Sequence, residues 1–462
     1  MSDRAGPVGL LLSLERGPVA LHEQLERALR DAVREGRLRA GARLPSSRSL
    51  SAELGISRGV VTAAYDQLVA EGYLQTRQGA PVRVADGVRA HAPRPPAPPL
   101  VDRFAYDLTP GLPDLLGFPR ERWLRSVRSA WREAPLDAVG YGDPRGESAL
   151  REALADYLGR ARGVAADAEH LVVCTGFRQS LSLTCRWLRG AGIERVALED
   201  PGWHAQRLIV EEAGLEVAPV AVDREGIRVD ELDATGADVV VVTPAHQFPT
   251  GVVLSAARRA RLIDWAERGA RLIIEDDYDA ELCQGQVGAL QGLAPDRVLY
   301  IGSASKRLTP GMRLGWMAPP SWASWTLISA KAIEDAGSEV SGQLALADFI
   351  ARGELERHLR RMRGRYARRR EALAASLAQL RPSWRPRPDA DGMFLLVDLP
   401  GDVDEPALLT KGARHGVGLE GLSLHSYTGT APPGLVLGCG SLPEPAIGRA
   451  LALLSEGPRG AA

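Results

Sequence analysis

Five prolines fall within the last seven residues of the segment Arg89-Ala-His-Ala-Pro-Arg-Pro-Pro-Ala-Pro-Pro99. Each proline removes a backbone donor and locks φ, so neither a helix interior nor a paired strand can run through them. The chain must therefore fold as separate bodies on either side, joined by an extended, semi-rigid spacer. A length of 462 residues leaves room for two or three domains. The expected organisation is an N-terminal module over 1–85, a proline-rich linker over 86–103 and a large domain over 104–462.

Upstream of the spacer, Leu21, Leu25, Leu29 and Val33 recur at helical spacing and predict an amphipathic helix over 21–35. Ser46 or Ser47 can cap a short helix ended by Gly55, and Ser57 can cap another running to about Ala70. Glu71-Gly72-Tyr73-Leu74 then opens a hairpin with Gln78-Gly79 at its tip. Helix, helix, turn, helix and hairpin make a winged helix-turn-helix. The third helix presents Arg58, Gly59 and Thr62 opposite Val60, Val61, Ala64 and Leu68. From Arg34 to Arg83 there are eight arginines against four acids, although the whole chain carries a formal charge of −1. A basic excess confined to one module suits a small anion-binding domain.

The stretch Leu44 to Leu74 resembles the GntR family of winged-helix repressors. On the helix that Ser57 opens, Arg58 can reach a guanine edge or a phosphate, and Gly59, one turn before Thr62, permits close approach; the resemblance implies double-stranded promoter DNA as partner, with backbone and minor-groove contacts from Arg48, Gln78 and Gly79.

Downstream, short apolar strands alternate with helices, and runs such as Val239-Val-Val-Val242 are apolar on both faces, as buried parallel strands are. The expected class is α/β with a mainly parallel sheet, followed by a smaller α+β lobe holding a long arginine-rich helix around 355–377. Lys306 is one of three lysines among 57 basic residues, in Ser303-Ala-Ser-Lys-Arg-Leu-Thr-Pro-Gly-Met-Arg313. Only an amine can shed a proton and condense with an aldehyde, so Lys306 reads as a Schiff-base lysine for pyridoxal 5′-phosphate. Lys331 and Lys411 read as surface lysines. Glu275-Asp-Asp-Tyr278 ends an apolar strand, where a carboxylate can keep a pyridine nitrogen protonated; on spacing alone, Asp276 and Asp277 both qualify. Thr175-Gly176-Phe177-Arg178 follows a strand and opens a helix whose free N–H groups can cradle phosphate.

Over residues 104 to 455 the chain resembles fold-type I aminotransferases. The resemblance assigns Asp276 to the ring nitrogen, Tyr278 to the ring hydroxyl, and Gly176, Phe177, Arg178, Ser303, Ser305 and Arg313 to the phosphate. It also implies that Trp203 stacks on the cofactor, and that Tyr141 reaches the phosphate of a neighbouring subunit, hence a homodimer with shared sites. Two positions depart from the enzyme pattern: Phe248 occupies the slot of a ring-hydroxyl asparagine, and Val436 that of the arginine clamping a substrate carboxylate. Tyr278, His246 or Gln247 must then compensate for the asparagine. With the winged helix, these departures resemble the MocR/GabR subfamily of regulators, in which pyridoxal phosphate serves as sensor or co-ligand. The expectation is a regulator that senses the cofactor itself or a small amine or amino-acid effector; the alternative is a working aminotransferase with an accessory DNA-binding domain.

The four cysteines are scattered without metal-ligand spacing, so no metal is expected and they read as core residues in a reducing compartment. No apolar run at the N-terminus is long enough for a signal core or a bilayer span, so a cytoplasmic protein without membrane contact is expected.

Overall fold

The computed structural model describes residues 14–15, 17–77, 80–88, 104–285, 287–388 and 391–455. The spacer prolines and the hairpin-tip residues Gln78 and Gly79 lie outside them. Contacts divide the chain into two units, 1–102 and 103–462.

In the first unit, α1 spans Leu21–Arg34, α2 Ser47–Leu54 and α3 Arg58–Ala70. Ser46 caps α2 by accepting from the Ser49 N–H, and Ser57 caps α3 by accepting from the Val60 N–H. Gly55 ends α2 at φ 65°, the left-handed conformation that glycine adopts without cost. The wing is a pair of two-residue strands, β1 (Leu74–Gln75) antiparallel to β2 (Arg83–Val84). Leu25 and Leu29 of α1 meet Val61, Ala64, Tyr65 and Leu68 of α3 in one apolar core. A two-pronged Arg30–Glu71 pair at 2.8–2.9 Å ties α1 to the end of α3.

The second unit is built on an eight-stranded sheet. Four neighbouring pairings are parallel, along Val298–Ser303, Leu272–Asp277, Val239–Val242, Arg195–Asp200 and Glu216–Asp223. Gly315–Ala318 inserts antiparallel between Val298–Ser303 and the edge strand Val172–Cys174, and Gly226–Ile227 closes the other edge antiparallel. Alternation decides the faces: Val239 and Val241 enter one apolar cluster, Val240 and Val242 the other. Both faces are covered, so the strand is buried throughout. The smaller lobe is a four-stranded antiparallel sheet containing Phe394–Asp398, Gly434–Gly438 and Glu420–Gly421, packed under the helix Glu354–Leu380.

One expectation is corrected. Lys331 is not a surface residue: its side chain is fully buried on the helix Ser321–Asp335 and paired with Asp335 at 2.9 Å. A buried ammonium is tolerable because the carboxylate one turn on is its partner. Among the described residues no helix is long and apolar enough to cross a membrane.

Candidate functional site

Parallel strands deliver their C-terminal ends to one edge, and the loops there line a cavity of about 430 Å³. Lys306 stands on the single turn Ala304–Arg307 that follows the strand Val298–Ser303. Its Nζ donates to the Gly111 carbonyl, and burial lowers its pKa against the opposing pull of Asp279, Asp276 and Glu420. A buried amine with a depressed pKa is easier to deprotonate, as a carbonyl-condensing lysine requires.

Asp276 and Asp277 are separated by the pleat. Asp277 points away from the cavity, where Arg162 Nε and the Tyr300 hydroxyl each donate to it at 2.7 Å. Burial alone would raise its carboxyl, but Arg162 and Arg307 hold it below the ordinary range. Asp276 is on the other face and lines the cavity. Its side chain accepts one bond, from Gln206 Nε2 at 3.2 Å, and no salt bridge reaches it among the described residues. Burial, and then Asp277, push its pKa well above the usual range. A desolvated carboxylate facing a cavity without its own cation fits a protonated ring nitrogen.

The cavity wall also carries groups of the kind that bind an anion. Gly176 is the N-cap of the helix Phe177–Gly190 and no side chain caps that end, so its first N–H groups stay available. Gly176 has φ 124°, and the Arg313 guanidinium nitrogens lie 3.6 Å from where a Cβ would stand. Gly315 packs so tightly against Gly176 that its own Cβ would come within 2.6 Å of the Gly176 Cα. Ser303 donates to the Ser305 hydroxyl at 2.9 Å, and both line the cavity with Arg313 and Arg178. Trp203 is also a wall residue, 5.8 Å from the Phe177 ring and with the Arg178 guanidinium 5.1 Å from its ring centre. A lysine amine, a buried carboxylate, two hydroxyls, two guanidiniums and a bare helix end together fit pyridoxal 5′-phosphate.

Of the groups able to stand in for the missing asparagine, Gln247 is taken up by Thr250 of its own loop and by Glu199 and the Pro201 carbonyl at the end of the neighbouring strand. His246 Nδ1 is held 3.0 Å from Asp279. Tyr278 alone of the three lines the cavity, its hydroxyl donating to the His246 carbonyl at 2.9 Å. Tyr141 is 99% exposed and touches no wall of this cavity. Phe248 and Val436 prove to be one packing unit, sharing an apolar cluster with Phe394, Leu396 and Leu422.

Residues without a local motif complete the site. Gly111, Thr243 and Glu420 line it; Thr243 donates at 2.5 Å to Glu199, a carboxyl that burial pushes up to about 7. The fold also brings His246, Asp279 and Cys283 within 4.8 Å of one another, a group able to hold a metal ion that the sequence spacing does not signal.

In the first unit, Arg48, Ser57, Arg58, Gly59 and Thr62 are all exposed. Arg58 Nε donates to the Ser47 hydroxyl at 3.1 Å, linking the starts of α2 and α3. A Cβ at Gly59 would meet only Ser57, at 3.8 Å.

Comparison with known proteins agrees with both halves. Residues 21–84 match the bacterial regulatory proteins of the gntR family, and residues 114–415 match aminotransferase class I and II. The chain is 35% identical over 455 residues to the HTH-type pyridoxine biosynthesis transcriptional regulator PdxR of Corynebacterium glutamicum, covering 95% of this chain and 96% of that one. It is 33% identical to the probable rhizopine catabolism regulatory protein MocR of Rhizobium meliloti, covering 93% and 92%. Among solved structures, Pyrococcus horikoshii kynurenine aminotransferase superposes with a TM-score of 0.69 at 26% identity, covering 77% of this chain and 90% of that one. The chain therefore belongs to the MocR/PdxR-type regulators of the GntR family, in which a winged helix precedes an aminotransferase-like domain.

Proposed function

We propose that this regulator binds promoter DNA through its winged helix under the control of pyridoxal 5′-phosphate held at Lys306, with the cofactor itself or an amine that exchanges onto it as the signal. The observation that carries this reading is the convergence of the Lys306 amine and the cation-free Asp276 carboxylate on one cavity. When bound, the cofactor supplies an aldehyde for amines and an electron-withdrawing ring. Asp276 would hold the ring nitrogen protonated and Tyr278 would bond the ring hydroxyl. Trp203 would cover one ring face. The N–H groups after Gly176, with Arg178, Ser303, Ser305 and Arg313, would hold the phosphate. The name of the Corynebacterium relative, similar over nearly the whole chain, ties it to pyridoxine biosynthesis and favours the cofactor as signal. The bare exposure of Tyr141 supports a homodimer in which it completes the partner's phosphate site. Val436, buried in apolar packing, and the partly buried Phe248 packed against the same cluster argue against efficient amino-acid turnover.

Titrating cofactor-free protein with pyridoxal 5′-phosphate in a gel shift on its own promoter should change the DNA affinity saturably. Unchanged binding at saturation would sink the cofactor-sensing reading. At the DNA face, Arg58→Ala is expected to weaken operator binding by about 1–3 kcal/mol with relaxed selectivity at one base pair, if Arg58 reads a base edge. Binding isotherms at several salt concentrations separate this from a phosphate contact, which lowers the salt slope by about one without changing selectivity.

A further inference from the structure

We propose that the cavity selects amines carrying a second positive charge, with Glu420 as the counter-ion for that charge. This deepens the reading above and rests on Lys306 anchoring the cofactor in the same cavity. Glu420 lies opposite Val436 in the small-lobe sheet and lines the cavity with Lys306. Its Oε1 is fixed 2.9 Å from Nε2 of His425, whose side chain is fully buried. Phe248 packs edge-on against His425 at 5.0 Å and holds the imidazole in place. Among the described residues nothing donates to Oε2, which leaves an acceptor for a ligand cation.

The apolar group of Phe394, Leu396, Leu422, Val436 and Phe248 offers no donor to a carboxylate, and Glu420 repels one. The two cavity guanidiniums are accounted for by the phosphate cradle: Arg313 lies against Gly176, and Arg178 is in the first turn of the helix that Gly176 caps. Val436, in the slot of the carboxylate clamp, and Phe248, in that of the ring-hydroxyl asparagine, therefore also flank Glu420 and its His425 support. A linear diamine fits this chemistry, one amine at the cofactor and one ammonium at Glu420.

Full-length protein loaded with pyridoxal 5′-phosphate is titrated with putrescine and cadaverine, and with the ω-amino acid and the monoamine of the same carbon number. Binding is followed by the visible absorption change and independently by calorimetry. Diamines should bind about tenfold or more tighter than the matched monoamines, with ω-amino acids weakest. In Glu420→Gln the ratio of diamine to monoamine affinity should fall to about one, and Glu420→Lys should turn the preference towards the ω-amino acids. Amino acids binding as tightly as diamines to the wild type, no amine binding at all, or a ratio untouched by Glu420→Gln would overturn the proposal. Should a variant fail to fold, the wild-type ranking still decides. Wild-type protein that retains no cofactor colour would instead refute the Lys306 reading itself, and that result is visible before any amine is added.

Discussion

Asp276→Asn and Asp277→Asn, adjacent and isosteric, should have opposite consequences. Asp277→Asn leaves Arg162 and Arg307 without their shared carboxylate in a fully buried site, and cofactor-free protein should lose about 3–5 kcal/mol of stability. Asp276→Asn removes a desolvated charge that no salt bridge compensates among the described residues, so cofactor-free protein should be as stable as the wild type or more so. Its cofactor affinity should fall by about 1.5–3 kcal/mol, roughly one to two orders of magnitude in Kd, for the loss of a charge-assisted bond. The pH dependence separates the pair further. The folded-state pKa of Asp276 is raised, so above the unfolded value near 3.9 its native form holds extra proton, and stability falls as pH rises towards the folded pKa. The advantage of Asp276→Asn should therefore grow with pH across that window. Asp277 is depressed, so its stabilisation is complete above the unfolded value and lost as pH falls towards the folded pKa. Denaturant melts of both variants over a pH series, with cofactor titrations alongside, check all of this.

Lys306→Ala should abolish the visible absorption of the cofactor-loaded protein and uncouple DNA binding from the cofactor. The winged helix forms its own apolar core, so the variant should still bind DNA. The affinity should stay at one value whatever the cofactor concentration. The side chain's bond to the Gly111 carbonyl is its only hydrogen bond among the described residues, so truncation should leave the fold intact. A variant that keeps its colour, or a DNA response that persists without colour, would place the anchor elsewhere.

Much of this was legible because the chemistry-bearing residues sit in short motifs at strand ends. A buried strand, a turn and a helix start are local events, and Gly176, Asp276 and Lys306 each occupy one. The helix caps Ser46, Gly55 and Ser57 were readable for the same reason. The choice between Asp276 and Asp277 was not, because it depends on which face of the Leu272–Asp277 strand meets the cavity. The half-exposed strand Glu216–Asp223 carries Pro219 and a weak apolar pattern, and it escapes a search for apolar runs. Nor does an apolar run reveal that Gly315–Ala318 runs antiparallel to its neighbours. Glu420 and Gly111 reach the cavity from distant parts of the chain, and the burial of Lys331 follows from helix packing; tertiary contacts alone bring them there. Gln78 and Gly79, expected at the DNA backbone, lie outside the described residues.

The most direct test of the account is where the cofactor attaches. Protein loaded with pyridoxal 5′-phosphate is reduced with borohydride, digested and mapped by mass spectrometry. A phosphopyridoxyl group is expected on the peptide containing Lys306, with Lys331 and Lys411 unlabelled. Label on either of those lysines, or on none of the three, would contradict it.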